Sequence, residues 1–461
     1  MPLAFLMAIP RYIESSSTGS HDRAPVIIGP EDHPITIPQI DKDALFVLKK
    51  LNSAGFSSYL VGGGVRDLYL GKKPKDYDIS TDARPGQIRK LFPNSTTIGK
   101  RFRLVQVFFP KGKIIEVSTL RSLSEHDLEG QEAVLAPNNT FGTLDEDAQR
   151  RDLTINSLFF EIEHCTIIDY VNGVDDLDHS VIRIVGNPEK RIHRDPVRMM
   201  RAIRHSARNN FTIEEETWKA ICKNADKLTL CPTSRLRDEL FKDLYSGAAS
   251  EWLRLALDSG VFLSLLSIYR KTLSPSAKDL SCREQLDKIV AVIDRLSLLQ
   301  TQHNKPKPSQ SFILALILIP WADWKYNLSQ QQLKGHAIFH FSRKIREDLD
   351  RNIGPQLNLR RSIRQEIAML LTNLPIFMQH CRNGIWPKWL QKKSYFNTSS
   401  LFFHFYKEAL DDQPTPERFF DDIKGSLDLE NRTQFDKEKP RRKIKPAFSP
   451  RRRGGVFGFK K

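Results

Sequence analysis

The sequence predicts a mixed α/β head followed by all-helical domains. Three observations carry that expectation. Strand and helix patterns alternate from about residue 39 to Tyr170, as in a mixed sheet covered by helices. After Asp195 the strand signals fade, and patterns of helical period dominate from Val197 to about Lys407. A chain of 461 residues is also too long for one typical core, so about two to four domains are expected.

Residues 1–38 are rich in Pro, Ser and Gly and lack periodicity, so they read as a disordered extension. Asp43 caps a helix that runs through Ala54, with Leu45, Leu48 and Leu51 on one face and Gly55 as its stop. Ser57 to Val61 reads as a strand, and the glycines after it turn the chain into a short helix from Val65 to Leu70. Asp76 to Ser80 reads as a second strand, and Pro85 sits in the first turn of a helix that reaches Leu91. Leu104 to Phe109 and Ile114 to Ser118 make a hairpin around Lys-Gly-Lys. A polar loop, Ser122 to Asn139, interrupts the head. Farther on, "SRLRDELFKDLYSG" and "EWLRLALDSGVFLSLL" show helical periodicity with Gly stops. The expected division is a head at 39–184, a helical neck at 185–250, a helical body at 251–430 and a basic tail at 431–461.

The net charge of +16 comes from 71 Lys and Arg against 55 Asp and Glu, which points to a polyanion or an anionic surface. Asn431 to Lys461 holds 12 Lys and Arg against two acids and reads as a disordered interaction arm. Five cysteines without Cys-x-x-Cys spacing suggest reduced, mostly buried thiols and a cytoplasmic protein. No apolar run approaches the ~20 residues that span a bilayer. "FILALILIPWADW" reads as a short buried helix, and the N-terminal "MPLAFLMAIPRYIESSS" is too short and proline-broken for a secretory signal. His336 and His340 stand at helical i, i+4 spacing but lack the Glu that would follow the first His in a zinc-binding helix.

The chemistry concentrates in "YLVGGGVRDLYLGKKPKDYDIS", Tyr59 to Ser80. Gly62 and Gly63 follow a strand and open a helix, so backbone N–H groups can approach phosphate oxygens with no Cβ in the way. Arg66 sits in the first helical turn, and Lys72, Lys73 and Lys75 crowd the approach. On a strand, Asp76 and Asp78 would share one face, within reach of one or two Mg²⁺ or Mn²⁺ ions. An isolated Asp-x-Asp is also a common solvated strand end. A glycine turn, an arginine and paired carboxylates within one short unit favour two-metal phosphoryl transfer instead.

These residues carry a resemblance. "LVGGGVRDLYLGKKPKDYDI" resembles the head motif of the class II nucleotidyltransferases, the family of bacterial poly(A) polymerases and CCA-adding enzymes. "RRDLTINSL" (Arg150 to Leu158), "DYVNGVDDL" (Asp169 to Leu177) and "RDPVRMMRAIRH" (Arg194 to His205) resemble its later motifs, in the family's order. The resemblance implies an α/β nucleotidyltransferase head, a mixed sheet with helices, followed by all-α neck and body domains.

It also implies roles. Asp76 and Asp78 would bind the metals, and Asp152 would complete the acidic site and face the ribose. Gly62, Gly63, Arg66 and Arg151 would hold the triphosphate, with Asn156 supporting the ribose region. Asp195 and Arg198 would read the nucleobase edge, while a plain capping role for Asp195 at the next helix stays open. Glu116, in "IIEVSTLR", competes as a third carboxylate. Where the family usually has an acid before the base-reading aspartate, this sequence has Arg194.

"TIGKRFRLVQVFF", Thr97 to Phe109, resembles the poly(A) polymerase signature more than the corresponding CCA-adding segment. Its Lys100, Arg101 and Arg103 would contact RNA phosphates, as would Arg441, Arg442, Arg451, Arg452 and Arg453 of the tail. The implied substrates are ATP and single-stranded RNA 3′ ends, with RNA-decay proteins as further partners and no membrane. The CCA-adding enzyme is the near alternative, and a non-catalytic RNA-binding protein is the alternative from another class.

Overall fold

One eight-stranded sheet organises the head. Its strands are β1 (Val26–Ile28), β2 (Ser58–Val61), β3 (Asp78–Thr81), β4 (Ser95–Ile98), β5 (Leu104–Phe108), β6 (Ile114–Thr119), β7 (Phe159–Glu161) and β8 (Thr166–Asp169). Their spatial order is β1-β8-β7-β2-β3-β6-β5-β4. Every neighbouring pair is antiparallel except β3 and β6, which run parallel with Asp78 opposite Glu116. The computed structural model describes residues 24–99, 104–122, 141–273, 281–303, 307–381, 386–411 and 414–415.

The head helices are α1 (Lys42–Ser53), α2 (Gly63–Tyr69), α3 (Pro85–Leu91), α4 (Leu144–Arg150) and α5 (Gly173–Asp178). α1 turns Ala44, Val47, Leu48 and Leu51 onto the sheet, and its cap is Asp41, not Asp43: the Asp41 carboxylate accepts from the Asp43 and Ala44 amides. The disordered extension expected at 1–38 also needs correction. Val26–Ile28 pair with β8 at the sheet edge, and Ile35 is buried. Three residues are too few to display the alternation of a strand. Residues 1–23, and nearly all of the polar loop expected at 122–139, lie outside the described residues.

Beyond the head the described residues are helical apart from a small parallel bridge, β9 (Val181–Ile182) with β10 (Thr212–Ile213). α6 (Pro188–Arg194), α7 (Val197–Asn209), α8 (Glu215–Asn224), α9 (Thr233–Leu244) and α10 (Ala249–Asp258) follow. Longer helices then cover Gln310–Tyr326, His336–Arg351, Arg361–His380 and Phe396–Asp411. Gln310–Tyr326 is apolar on all sides because it is the centre of the body core, with Phe312, Leu316 and Ile319 fully shielded. Among the described residues no helix is long and apolar enough to cross a membrane. The cysteines are free, but only Cys231 and Cys282 are buried; Cys222 is exposed, against the expectation of mostly buried thiols.

α7 and α9 are joined by a buried ion cluster. Arg204 donates to Glu239 at 2.6 Å and to Asp243 at 2.7 Å, and all three side chains are at most 8% exposed. Burial pushes the Asp243 carboxyl up to about 7, against the pull of Arg204. Removing one partner from such a cluster leaves charge stranded in low dielectric. Arg204→Met should therefore cost about 3 kcal/mol or more at pH 8. Without Arg204 the Asp243 carboxyl would be raised beyond about 7, well above its unfolded value, so the penalty is full above that raised value and shrinks as pH falls below it. Urea unfolding at pH 8 and pH 6 checks both the loss and its sign.

Candidate active site

The glycine turn has a backbone reason. Gly62 adopts φ 66° and ψ −132°, a conformation closed to residues with a Cβ, and it lets β2 pass directly into α2. A Cβ on Gly62 would also stand 3.5 Å from the Arg151 Nη1. Beneath this turn lies Arg66, 4% exposed. Its Nε and Nη2 donate to Asp67 at 2.9 and 2.6 Å, and its Nη1 donates to the Asn156 Oδ1 at 2.6 Å. His205 of α7 lies 3.3 Å from the same Nη1. Burial, and then the nearby guanidinium groups of Arg66, Arg204 and Arg201, hold the His205 imidazole well below its ordinary pKa. Arg66 and Asn156, expected to touch the nucleotide, are buried, hydrogen-bonded to each other and not among the residues that line the cleft at β3 and β6.

A cleft of about 340 Å³ opens where β3 and β6 begin, and charged groups dominate its lining. Asp78, Glu116, Asp147, Asp152 and Asp195 face Arg121, Arg150, Arg151, Arg198 and Arg201 there. Parallel pairing sets Asp78 beside Glu116, and the Gln106 amide donates to the Glu116 carboxylate at 2.9 Å. The Asp78 carboxyl is pushed up to about 6, first by the cleft walls that strip its solvent and then by the Glu116 charge; Arg151 pulls the other way. Solvent still reaches it along the open side.

Asp76 is not in a strand. It lies in the exposed turn two residues before β3, so simple strand alternation does not set its direction, and it is not among the cleft-lining residues. Its charge nevertheless reaches Asp78. Tyr77 between them points into the core, as strand alternation predicts.

The donors present fit a hard divalent cation. Beyond the effect of burial, repulsion from Glu116 and Asp76 raises the Asp78 pKa, so negative charge is concentrated at this end of the cleft. Among the described residues no cluster of three or more His, Cys, Asp or Glu forms a ready-made cage. Mg²⁺ does not require one, since it usually takes one or two carboxylates and completes its shell with phosphates and water.

The other wall comes from "RRDLTINSL". The Arg151 Nη2 donates to Asp147 at 2.8 Å and to the Ser80 hydroxyl at 3.1 Å, and its guanidinium lies 5.0 Å from the Phe159 ring centroid. Asp152 is ion-paired with Arg201 of α7; although burial opposes it, that guanidinium holds the carboxyl below the usual carboxylate range. "DYVNGVDDL" supports this wall from behind. Asp176 accepts from the Thr154 hydroxyl at 2.6 Å, and a Cβ on Gly173 would come within 2.3 Å of the Thr154 carbonyl oxygen. That motif's glycine is a packing requirement.

Asp195 and Arg198 both line the cleft, but they do not share a helix face. Asp195 ends α6 before α7 begins, and its side chain does not cap α7. Arg235 of α9 grips it instead, with Nη1 to Oδ1 at 2.8 Å and Nη2 to Oδ2 at 2.7 Å. Arg198 donates to the Arg191 and Arg150 carbonyls at 3.0 and 3.4 Å.

Sequence reasoning missed Asp147, Arg121, Arg201 and Arg235. Asp147 had a local signal, since it stands three and four residues before Arg150 and Arg151 on one helix. Arg235 had none, being forty residues from its partner. Lys100, Arg101, Arg103 and the tail arginines lie outside the described residues.

Residues 58–183 match the Poly A polymerase head domain, and residues 210–271 match the "Probable RNA and SrmB- binding site of polymerase A". The chain is 48% identical over 232 residues to poly(A) polymerase I of Salmonella typhi, covering 49% of this chain and 50% of that protein. It is 41% identical over 207 residues to the CCA-adding enzyme of Lactobacillus helveticus, covering 45% of this chain and 50% of the relative. The Bacillus stearothermophilus CCA-adding enzyme, solved in complex with CTP, superimposes with a TM-score of 0.60 at 24% identity over 85% of this chain and 82% of that one, which establishes the shared fold. The matched region is a nucleotidyltransferase head with its helical neck. Residues 58–183 and 210–271 are thus similar to domains of poly(A) polymerases, and the chain spans about half the length of the curated relatives it matches.

Glu116→Gln should lower the Asp78 pKa from about 6 towards the ordinary carboxylate value, because removing a like charge favours the ionised form. Carbon-detected carboxyl titration reads the shift directly. The same substitution removes negative charge from beside Asp78, so Mg²⁺ should bind less tightly to the variant than to the parent at pH 8, where protons no longer compete.

Proposed function

We propose that this chain is a template-independent polynucleotide adenylyltransferase that adds AMP from ATP to single-stranded RNA 3′ ends. The observation that carries the reading is the cleft itself, in which Asp78 and Glu116 face an arginine-lined wall within a family head that matches poly(A) polymerases. Asp76 and Asp78 would hold Mg²⁺, with Mn²⁺ as a substitute. When bound, the metal neutralises the triphosphate and acidifies the attacking 3′-hydroxyl.

The chain's own groups do the rest. The Gly62 amide already donates to the Leu158 carbonyl at 3.3 Å, which leaves the Gly63 amide and the Arg151 guanidinium beside the turn for triphosphate oxygens. Asp152, oriented by Arg201, is suited to accept from a ribose hydroxyl. Each Asp195 oxygen takes one N–H from Arg235 and keeps a lone pair for an exocyclic amino group, with Arg198 as the neighbouring donor. The 3′-hydroxyl gives its proton to water, its oxygen bonds to the α-phosphorus, and the bond from that phosphorus to the bridging oxygen breaks so that pyrophosphate leaves.

Tail contacts to RNA phosphates through Arg441, Arg442, Arg451, Arg452 and Arg453, and partnership with RNA-decay proteins, extend this reading. The CCA-adding alternative has support of its own in the Lactobacillus relative.

One incubation tests the assignment: protein, Mg²⁺, a short unstructured RNA or a truncated tRNA, and each nucleotide separately. Long tails from ATP alone on unstructured RNA are expected. Short additions that need CTP and occur only on truncated tRNA would select the CCA-adding reading. Asp78→Ala should abolish incorporation while the melting temperature stays close to that of the parent, since the reacting phosphate loses its electrostatic anchor. Asp195→Ala should erode the preference for ATP by about 1–3 kcal/mol, the cost of a lost base-edge hydrogen bond. Competition of ATP against the other nucleotides at fixed RNA reads that change.

A further inference from the structure

No Asp or Glu occurs between Glu366 and Glu408, and within this stretch one short segment presents its charge outward. Pro387 opens a single helical turn at Lys388–Gln391, closed by the Leu390 and Gln391 amides donating to the Pro387 carbonyl at 3.0 and 3.2 Å. Trp386 and Leu390 fasten its inner side. Trp386 is 6% exposed, its indole N–H donates to the Phe377 carbonyl at 3.4 Å, and Phe377, Phe396, Phe403 and His404 surround its ring. The turn is therefore held rigidly on the body.

Its outer side is different. Trp389 is 49% exposed, steadied edge-on by His380 with ring centroids 5.3 Å apart. Lys388, Lys392 and Lys393 are all exposed around it. None of these lysines has a carboxylate partner among the described residues, whereas Lys325, Arg343 and Arg364 elsewhere on the body are paired.

We infer that Trp389 with Lys388, Lys392 and Lys393 forms an accessory site for single-stranded RNA, outside the cleft and outside residues 210–271. A fixed, half-exposed indole offers a stacking platform to any base, and unpaired ammonium groups around it meet the phosphates on either side of that base. Self-association on this face is opposed by like charge on both copies. The inference rests on the reading of the chain as an RNA-acting enzyme, and it gives the growing strand a hold away from the reacting end.

Full-length protein and three variants test it: Trp389→Ala, Trp389→Phe, and the combined Lys388→Ala, Lys392→Ala, Lys393→Ala. A fluorescent oligoadenylate of about 20 nucleotides is titrated by anisotropy across a salt series. Trp389→Ala should weaken binding about tenfold, and Trp389→Phe should retain most of it, because the stacking face survives. The triple variant should weaken binding and flatten the log–log salt slope by about 2, at roughly 0.7 for each phosphate no longer neutralised. A 4-thiouridine oligomer should crosslink to the peptide 386–393 of the parent, which separates this site from the tail whatever the tail contributes. Equal affinity and salt slope in all variants, with no crosslink in this peptide, overturns the inference, including the case in which an acidic protein uses the face. A parent that binds RNA here but incorporates no AMP would instead defeat the enzymatic reading alone.

Discussion

Arg66 carries a guanidinium into a space where almost no water reaches it, and the way that charge is satisfied joins three separate parts of the head and neck. Asp67 supplies the counter-charge from the same helix, Asn156 reaches in from the turn after Asp152, and His205 comes from α7. Leaving such a charge unpaired would cost several kcal/mol on the order expected for a buried ion. The glycine turn, the "TIN" turn and the neck helix therefore have a strong reason to stay in one arrangement. Several residues of the cleft stand on or beside those elements: Val61 at the entry to the first, Arg151 and Asp152 beside the second, and Arg198 and Arg201 on the third.

The cleft is a balance of opposed charges. On one wall Asp78 and Glu116 repel each other, because parallel pairing of β3 and β6 leaves them side by side. On the other, Asp152 and Asp195 are each tied to an arginine of the neck, Arg201 and Arg235. The paired carboxylates have fixed directions and depleted charge, which suits hydrogen-bond recognition. The unpaired ones keep excess charge, which suits a cation. One cleft thus presents two kinds of carboxylate, and their chemistry differs because of their partners.

Much of this is legible in the sequence. The glycine turn, the Asp-x-Asp and the later motifs are local patterns, and the strands around them follow from short apolar runs between turn residues. The buried helix at Gln310–Tyr326 is readable from composition alone. Sequence and structure part where a pattern is too short or a role needs a distant partner. The edge strand at Val26–Ile28 offers three residues, and the α1 cap falls on Asp41 because the helix begins two residues earlier than its apolar face suggests. Alternation around Asp76 suggests a strand that in fact starts only at Asp78.

By itself the sequence determined the chemical inventory: carboxylates, glycines and arginines in a family order, on a mixed α/β head with helices after it. Local periodicity and backbone preference act over a few residues, and that range covers each motif. Tertiary structure decided which member of a motif meets the cleft. It buried Arg66 and Asn156 outside the cleft lining, brought Glu116 beside Asp78, and clamped Asp195 with an arginine forty residues away. Those outcomes depend on long-range pairing of buried charge and on strand register, where the energy of one interaction is settled by elements that are distant in the chain.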